Sequence, residues 1–271
     1  MPSPVDIIKR NFFRLLQTGA LGENTTVEPM SAYKWQQLFT LLDAHDVLNF
    51  ALQGYAQQQK KNVRHAPQQL VNELQSRQTT VPQTDYTRSQ LSNSLLNRRL
   101  QTIRTTERHA IDTSLETLHL LNIIVHNVEN TLNQGLQIKG ILHLGLYLRH
   151  HGNRVDFIKL ERWLAQIYLK TMAQLQGNIL ITLFGFEQAE IPFVRRLSPK
   201  VRSLILRSLT KTEKGTTEHC LTQDSSVWVH GNSATIRHSL GHNMRYLLYA
   251  PIETISNLTY KFAKNLSELE E

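Results

Sequence analysis

Apolar residues in this chain recur mostly every third or fourth position, the spacing of one face of an α-helix. Ile7, Ile8, Phe12, Leu15 and Leu16 set the pattern over 5–18, with Asp6 placed to cap that helix and Gly19 to end it. Ser31 opens a second run through Trp35, Leu38, Phe39, Leu42 and His45. A short third run, Val47 to Leu52, is expected to stop near Gly54. Residues 57–90 are rich in Gln, Thr and Asn, and Pro67 and Pro82 bracket a short helix followed by a polar connection.

From Thr87 to Asn133 there is neither Gly nor Pro, and leucines, isoleucines and valines fall mostly three or four apart from Leu91 to Leu132. One helix over that span would be roughly 70 Å long at 1.5 Å per residue. Arg98, Arg99, Arg104 and Arg108 make its first half half-solvated, whereas Leu120, Leu121, Ile123 and Ile124 make its second half apolar on several sides. A coiled-coil seam is one use for it, but the heptad is irregular and favours packing within the chain. Beyond it come the leucine-rich GILHLGLYLRHHG, two amphipathic segments to Val194, a basic amphipathic run and a final segment carrying Met244, Leu247, Leu248, Ile255, Leu258 and Phe262. Ser226 to Gly231 suggests a short hairpin near 225–236. The expected fold is therefore mostly all-α, a multi-helix bundle with one long central helix. Its parts are an N-terminal helical segment (1–56), a polar connection with a short helix (57–87) and a helical core (88–271) that can form one domain with 1–56.

Composition agrees: 40% of residues are hydrophobic, 19% charged, and the 12 Gly and 8 Pro are few for a β-protein. The single Cys220 cannot form an internal disulfide. The N-terminus mixes Asp6, Lys9, Arg10 and Arg14 into its apolar pattern, so no signal peptide is read and a cytoplasmic protein is expected. A net charge of +8 and a pI near 9.6 admit anionic partners.

Two segments resemble a known family. IIKRNFFRLLQTGALGE with SAYKWQQLFTLLDAHDVLNFALQG is similar to the opening helices of a bacterial nucleotidyltransferase-like family, and LHLGLYLRHHGNRVDFIKLERWL with GFEQAEIPF resembles the helices that follow its catalytic core. Together they cover about half the chain. The resemblance implies a two-metal catalytic sheet carrying Asp-x-Asp after a Gly-Ser turn. The seven aspartates (Asp6, Asp43, Asp46, Asp85, Asp112, Asp156, Asp224) form no such pair, and there is no Gly-Ser dipeptide. Lys139-Gly140 stands where that sheet would begin, and the leucine helix follows at once. The expected state is flanks without the catalytic core, with no cofactor.

Several constellations compete with that reading. Arg104 and His109 fit the Arg-x4-His pattern of HEPN-type ribonucleases, in which His moves a proton and Arg holds a phosphate; Arg237 and His242 fit it equally. His238 and His242, four apart, are weak zinc-ligand candidates with His219, Cys220 and His230 near in sequence. Arg195, Arg196, Lys200, Arg202, Arg207 and Lys211 form the densest basic run, suited to nucleic acid or an anionic surface. His150 and His151 before Gly152 read as a helix end-cap. The leading expectation is a non-catalytic nucleotidyltransferase-related helical protein acting through a partner, most simply another protein, with self-association through 88–133 as a variant. The alternatives are a divergent nucleotidyltransferase, a helical ribonuclease, or a basic module for nucleic acid or an anionic surface.

Overall fold

The computed structural model describes residues 4–59, 66–76, 84–110, 114–206, 209 and 244–267. The protein is mostly α-helical, and among the described residues there is no strand. It forms two compact units. Unit 1 holds the described residues of 1–84, 180–186 and 199–223; unit 2 holds those of 85–179, 187–198 and 224–271. The hairpin read near 225–236 lies outside the described residues up to 243.

Unit 1 is built on α1 (Pro4–Leu21), α2 (Ala32–Ala44), α3 (Leu48–Gln59) and α4 (Gln68–Ser76). Phe12, Leu15 and Leu16 of α1 are fully buried with Trp35, Leu38 and Leu42 of α2, as their spacing predicts. The polar residues of α1 are also used. Asn11 pairs with the backbone of Glu28 in both directions, each bond 2.9 Å, and Arg10 and Arg14 close on the Glu28 carboxylate at 2.8 Å. The Arg10 guanidinium holds that carboxylate below its ordinary pKa range. Ser31 is extended before α2, as an N-cap residue is.

Two expected helix stops are instead a crossing. α1 continues past Gly19 to Leu21, and Gly22 turns the chain at φ +69. α3 continues past Gly54 to Gln59. A Cβ on Gly19 would lie 1.8 Å from the Phe50 carbonyl oxygen, and one on Gly54 would lie 2.2 Å from that of Leu15. The two glycines let the backbones of α1 and α3 approach closely, which any side chain would prevent.

Unit 2 contains α5 (Ser94–Arg108), α6 (Leu115–Asn133), α7 (Ile138–His151), α8 (Phe157–Gln166), most of α9 (Lys170–Phe184) and α10 (Pro251–Ser267). The single 88–133 helix is replaced by two. Asn93 caps α5 by accepting from Leu96 N at 3.0 Å, and α5 ends at Arg108, where the His109 N–H turns back to Thr106 and Glu107. α6 restarts after Ser114, whose N–H is held by the Glu107 carboxylate. Ser114 stands at the N-cap position of α6 without a side-chain cap bond, and the run of cap-type residues Asp-Thr-Ser at 112–114 is the sequence signal for this break. α6 is the core of the unit: Leu120, Leu121, Ile124, Val125 and Val128 are fully buried on several sides of it. Lys139-Gly140 falls in the first turn of α7, so this point of the chain is helix. There Asn127 of α6 bonds the Gly140 carbonyl at 3.0 Å and Gln176 of α9 at 3.0 Å.

Candidate functional site

The residues singled out from sequence take different places. Arg104 is buried in unit 2, donating Nε–H to Asn122 Oδ1 at 2.8 Å and Nη1–H to the Ser89 carbonyl at 2.9 Å; its Nη2 has no hydrogen-bond partner among the described residues. His109 is exposed at the end of α5, so the helix turns one member of the Arg-x4-His pair inward and the other outward. Arg195 is drawn onto Glu161 at 2.7 Å, which also holds Lys170 at 2.8 Å. Arg196, Lys200 and Arg202 are exposed, the first in unit 2 and the others in unit 1. Arg207, Lys211, His238 and His242 lie outside the described residues. No three His, Cys, Asp or Glu side chains among the described residues converge as a metal site.

The structure brings together a group that the sequence reading did not assemble. His119 and His126 lie seven apart on α6; His143, Tyr147, His150 and His151 share a face of α7; Tyr86 reaches them from the short turn Tyr86–Arg88. All but His126, which stands edge-on to Tyr86, line an open cleft of about 240 Å³ together with Ile123 and Leu146. His119, Tyr147 and His151 form a ring stack, with centroids 4.8 Å apart in each step. Tyr86 stands edge-on to His119 at 5.7 Å. Two hydrogen bonds pin the walls: Tyr147 OH donates to the Glu116 carbonyl at 3.0 Å, and Tyr86 OH meets His143 Nδ1 at 2.6 Å. Burial pushes the Tyr147 phenol up to about 12.

Two of the imidazoles on α6 are shifted toward the neutral form. Burial, and then the charge of His151, lower the pKa of His119. His126 is lowered by burial, and its tautomer follows from its partners. Asn130 Nδ2 can only donate, so His126 Nε2 accepts that 2.9 Å bond and Nδ1–H donates to Ser89 Oγ at 2.8 Å. His150 Nδ1–H donates to the Leu146 carbonyl at 2.7 Å, one turn back within α7. Gly152 does not take the left-handed cap geometry: its φ is −56, and it leads into a 3-10 turn. His151 belongs to the ring stack rather than to the cap.

A second feature lies on α10. Its inward residues are polar: Glu253, Thr254 and Asn257 are all but fully buried. Glu253 accepts from the backbone N–H of Ser92 and of Asn93 just before α5, the latter at 3.2 Å. Asn257 bonds Asn133 Oδ1 at 2.9 Å and Ser92 Oγ at 3.1 Å, and Lys261 Nζ reaches the Leu132 carbonyl at 2.8 Å. Outward stand Ile252, Ile255 and Phe262, the last two 53% and 56% exposed, with Tyr260 beside them and Leu248, 85% exposed, in the turn before the helix. The helix is docked by its polar side and shows its apolar side.

No family model, characterised protein or solved structure matches this chain. The site is therefore read from its own residues. Both features had a sequence signal. Histidines at 119 and 126 and at 143, 150 and 151 repeat one helix face twice, and the row 248, 252, 255, 262 keeps helical spacing. No helix among the described residues is long and apolar enough to cross a membrane.

Proposed function

We propose that this protein is a non-catalytic helical protein, related to the flanks of nucleotidyltransferases, that works by docking an amphipathic helix of a partner protein on α10. The inversion of α10 carries the reading. A helix held by buried Glu253 and Asn257, with Ile255 and Phe262 left in water, is stable where it lies and has an unused apolar row. Steps of three and seven from Ile252 through Ile255 to Phe262 match the seam that a second helix fills. The row from Ile252 to Phe262 is about 15 Å long at 1.5 Å per residue. A helix pair of that length falls short of the roughly 1,200–2,000 Å² that a lasting complex buries. It therefore suits a partner that adds contacts of its own better than a second copy. The relation to nucleotidyltransferases is supported by the resemblance of α1, α2, α7 and α8 and by the helical path of the chain through Lys139-Gly140.

A photo-crosslinking residue at position 255, in cells, is expected to give one discrete adduct that a residue at exposed Ile158 does not. Equal labelling from both positions would refute the surface. A dimer dissociated by Ile255→Glu would replace the partner protein with a second copy. Magnesium-dependent transfer from a labelled nucleotide to protein, RNA or a small acceptor would refute the non-catalytic part.

A further inference from the structure

We propose that the cleft between α6 and α7 is a binding site for a small planar nitrogen heterocycle, seated against the rings of His119, Tyr147 and His151. It is independent of the α10 surface. The size of the cleft sets the first limit. Its 240 Å³ is the liquid volume of about eight waters, enough for a one- or two-ring molecule and too little for an extended chain.

The lining sets the chemistry. It consists of aromatic rings on an aliphatic floor, and no carboxylate is among its residues, so a cation finds no counter-charge. The nearest guanidinium groups are engaged, Arg149 with Glu190 at 3.6 Å and Arg154 with Glu116 at 3.9 Å, so an anion finds no uncommitted one there. Partial desolvation lowers the pKa of His119, which weakens a further source of anion attraction. What remains is π-surface and hydrogen-bonding capacity. No described residue hydrogen-bonds the ring nitrogens of His119 or His151, whereas His126 and His143 are already engaged. A neutral imidazole offers one donor and one acceptor in the ring plane. The edge of a nitrogen heterocycle offers the same pair, and its face matches the stack. A purely aliphatic molecule of equal size would satisfy neither.

The walls are also set in advance. Tyr147 is tied to the Glu116 carbonyl and Tyr86 to His143, so a ligand need not order them. That is the arrangement of a recognition site rather than of loosely packed surface rings.

The test uses the full-length protein at pH 7.5 with adenine as probe, following the histidine Hε1 resonances by NMR. His119→Leu and His151→Leu assign two of these signals. Adenine is expected to produce saturable upfield shifts of the His119 and His151 signals, with half-saturation below 5 mM, while His45 does not move. His151→Leu, which removes a partly exposed ring, is expected to weaken binding at least fivefold without lowering the melting temperature. Cyclohexanol and inorganic phosphate are the counter-probes. Equal binding of cyclohexanol would reduce the cleft to an apolar gap. Phosphate that shifts the same signals and displaces adenine would make it an anion site. No saturable shift up to 10 mM with adenine or benzimidazole would remove the site altogether.

Discussion

The crossing of α1 and α3 gives the sharpest test of the architecture. In Gly19→Ala the new methyl carbon would sit 1.8 Å from the Phe50 carbonyl oxygen and 2.5 Å from Gly54 N. Non-bonded carbon and oxygen settle at about 3.3 Å, so the helices must part by roughly 1.5 Å. The obstacles are backbone atoms in helices and cannot rotate away. Overpacking of this kind costs about 1–3 kcal/mol and sits at the upper end when nothing flexible can yield. Opening the gap also thins the contacts of Leu15, Leu16, Ala51 and Tyr55, all buried. Against this, alanine gains about 1 kcal/mol of helix propensity over glycine. The net expectation is a loss of about 2–4 kcal/mol, read as a lower urea midpoint at unchanged slope, with Trp35 of unit 1 as the fluorescent reporter. Two other glycines calibrate it. Gly152→Ala has open space and φ −56, so it should be neutral or stabilise by about 0.5 kcal/mol. Gly22→Ala also has open space but φ +69, so it should cost about 1 kcal/mol. Gly19→Ala as stable as the parent protein would mean that α1 and α3 do not cross there.

Three further outcomes follow from the buried polar groups. Arg104→Ala should cost about 2–4 kcal/mol in urea denaturation, because Asn122 Oδ1 and the Ser89 carbonyl lose their donor; His109→Ala should stay within about 0.5 kcal/mol, and equal losses would contradict their placement. Glu253→Ala should destabilise unit 2 by about 2 kcal/mol by stripping two N–H groups before α5 of their acceptor, seen as faster hydrogen exchange at Ser92 and Asn93. Burial pushes His45 down to about 4 from its ordinary 6.5, so the unfolded chain takes up the proton first. Stability should be full above about pH 6.5 and fall by up to about 3 kcal/mol as pH drops to 4, with His119 and His126 acting in the same direction; His45→Leu should flatten most of that slope in melts recorded from pH 4 to 7, and an unchanged slope would contradict the burial.

The helices themselves were legible. Ile8, Phe12, Leu15 and Leu16 of α1 and Leu118, Leu121, Val125 and Val128 of α6 are buried where their spacing puts them. The breaks were harder to place. A stretch without Gly or Pro reads as one helix when those are the only breakers counted, whereas the cap-type residues at 112–114 also mark a restart, and Ser114 takes the N-cap position of α6. The reverse error came at Gly19 and Gly54. Glycine allows a helix to end, but it also allows two backbones to touch, and a sequence window of one helix carries no trace of the other.

The functional features were hidden for a deeper reason. Periodicity assigns residues to a common face but does not say which face turns inward. For α10 the spacing of Ile252, Ile255 and Phe262 is that of any core stripe, yet Glu253, Thr254 and Asn257 fill the contact with unit 2. What decides the sign is a set of helix-end polar groups elsewhere: the N–H donors of Ser92 and Asn93 before α5 and the Leu132 carbonyl acceptor near the end of α6. An unsatisfied helix end is costly enough to recruit the polar side of a neighbour. Once it has done so, the apolar side has nowhere to go but out. The exposed row on α10 is thus a consequence of how α5 and α6 are terminated, more than 100 residues away in sequence. The histidine cleft has the same origin: His119 stands on α6 and His143, His150 and His151 on α7, and only the packing of the two helices, set by the leucines between them, makes one site of them.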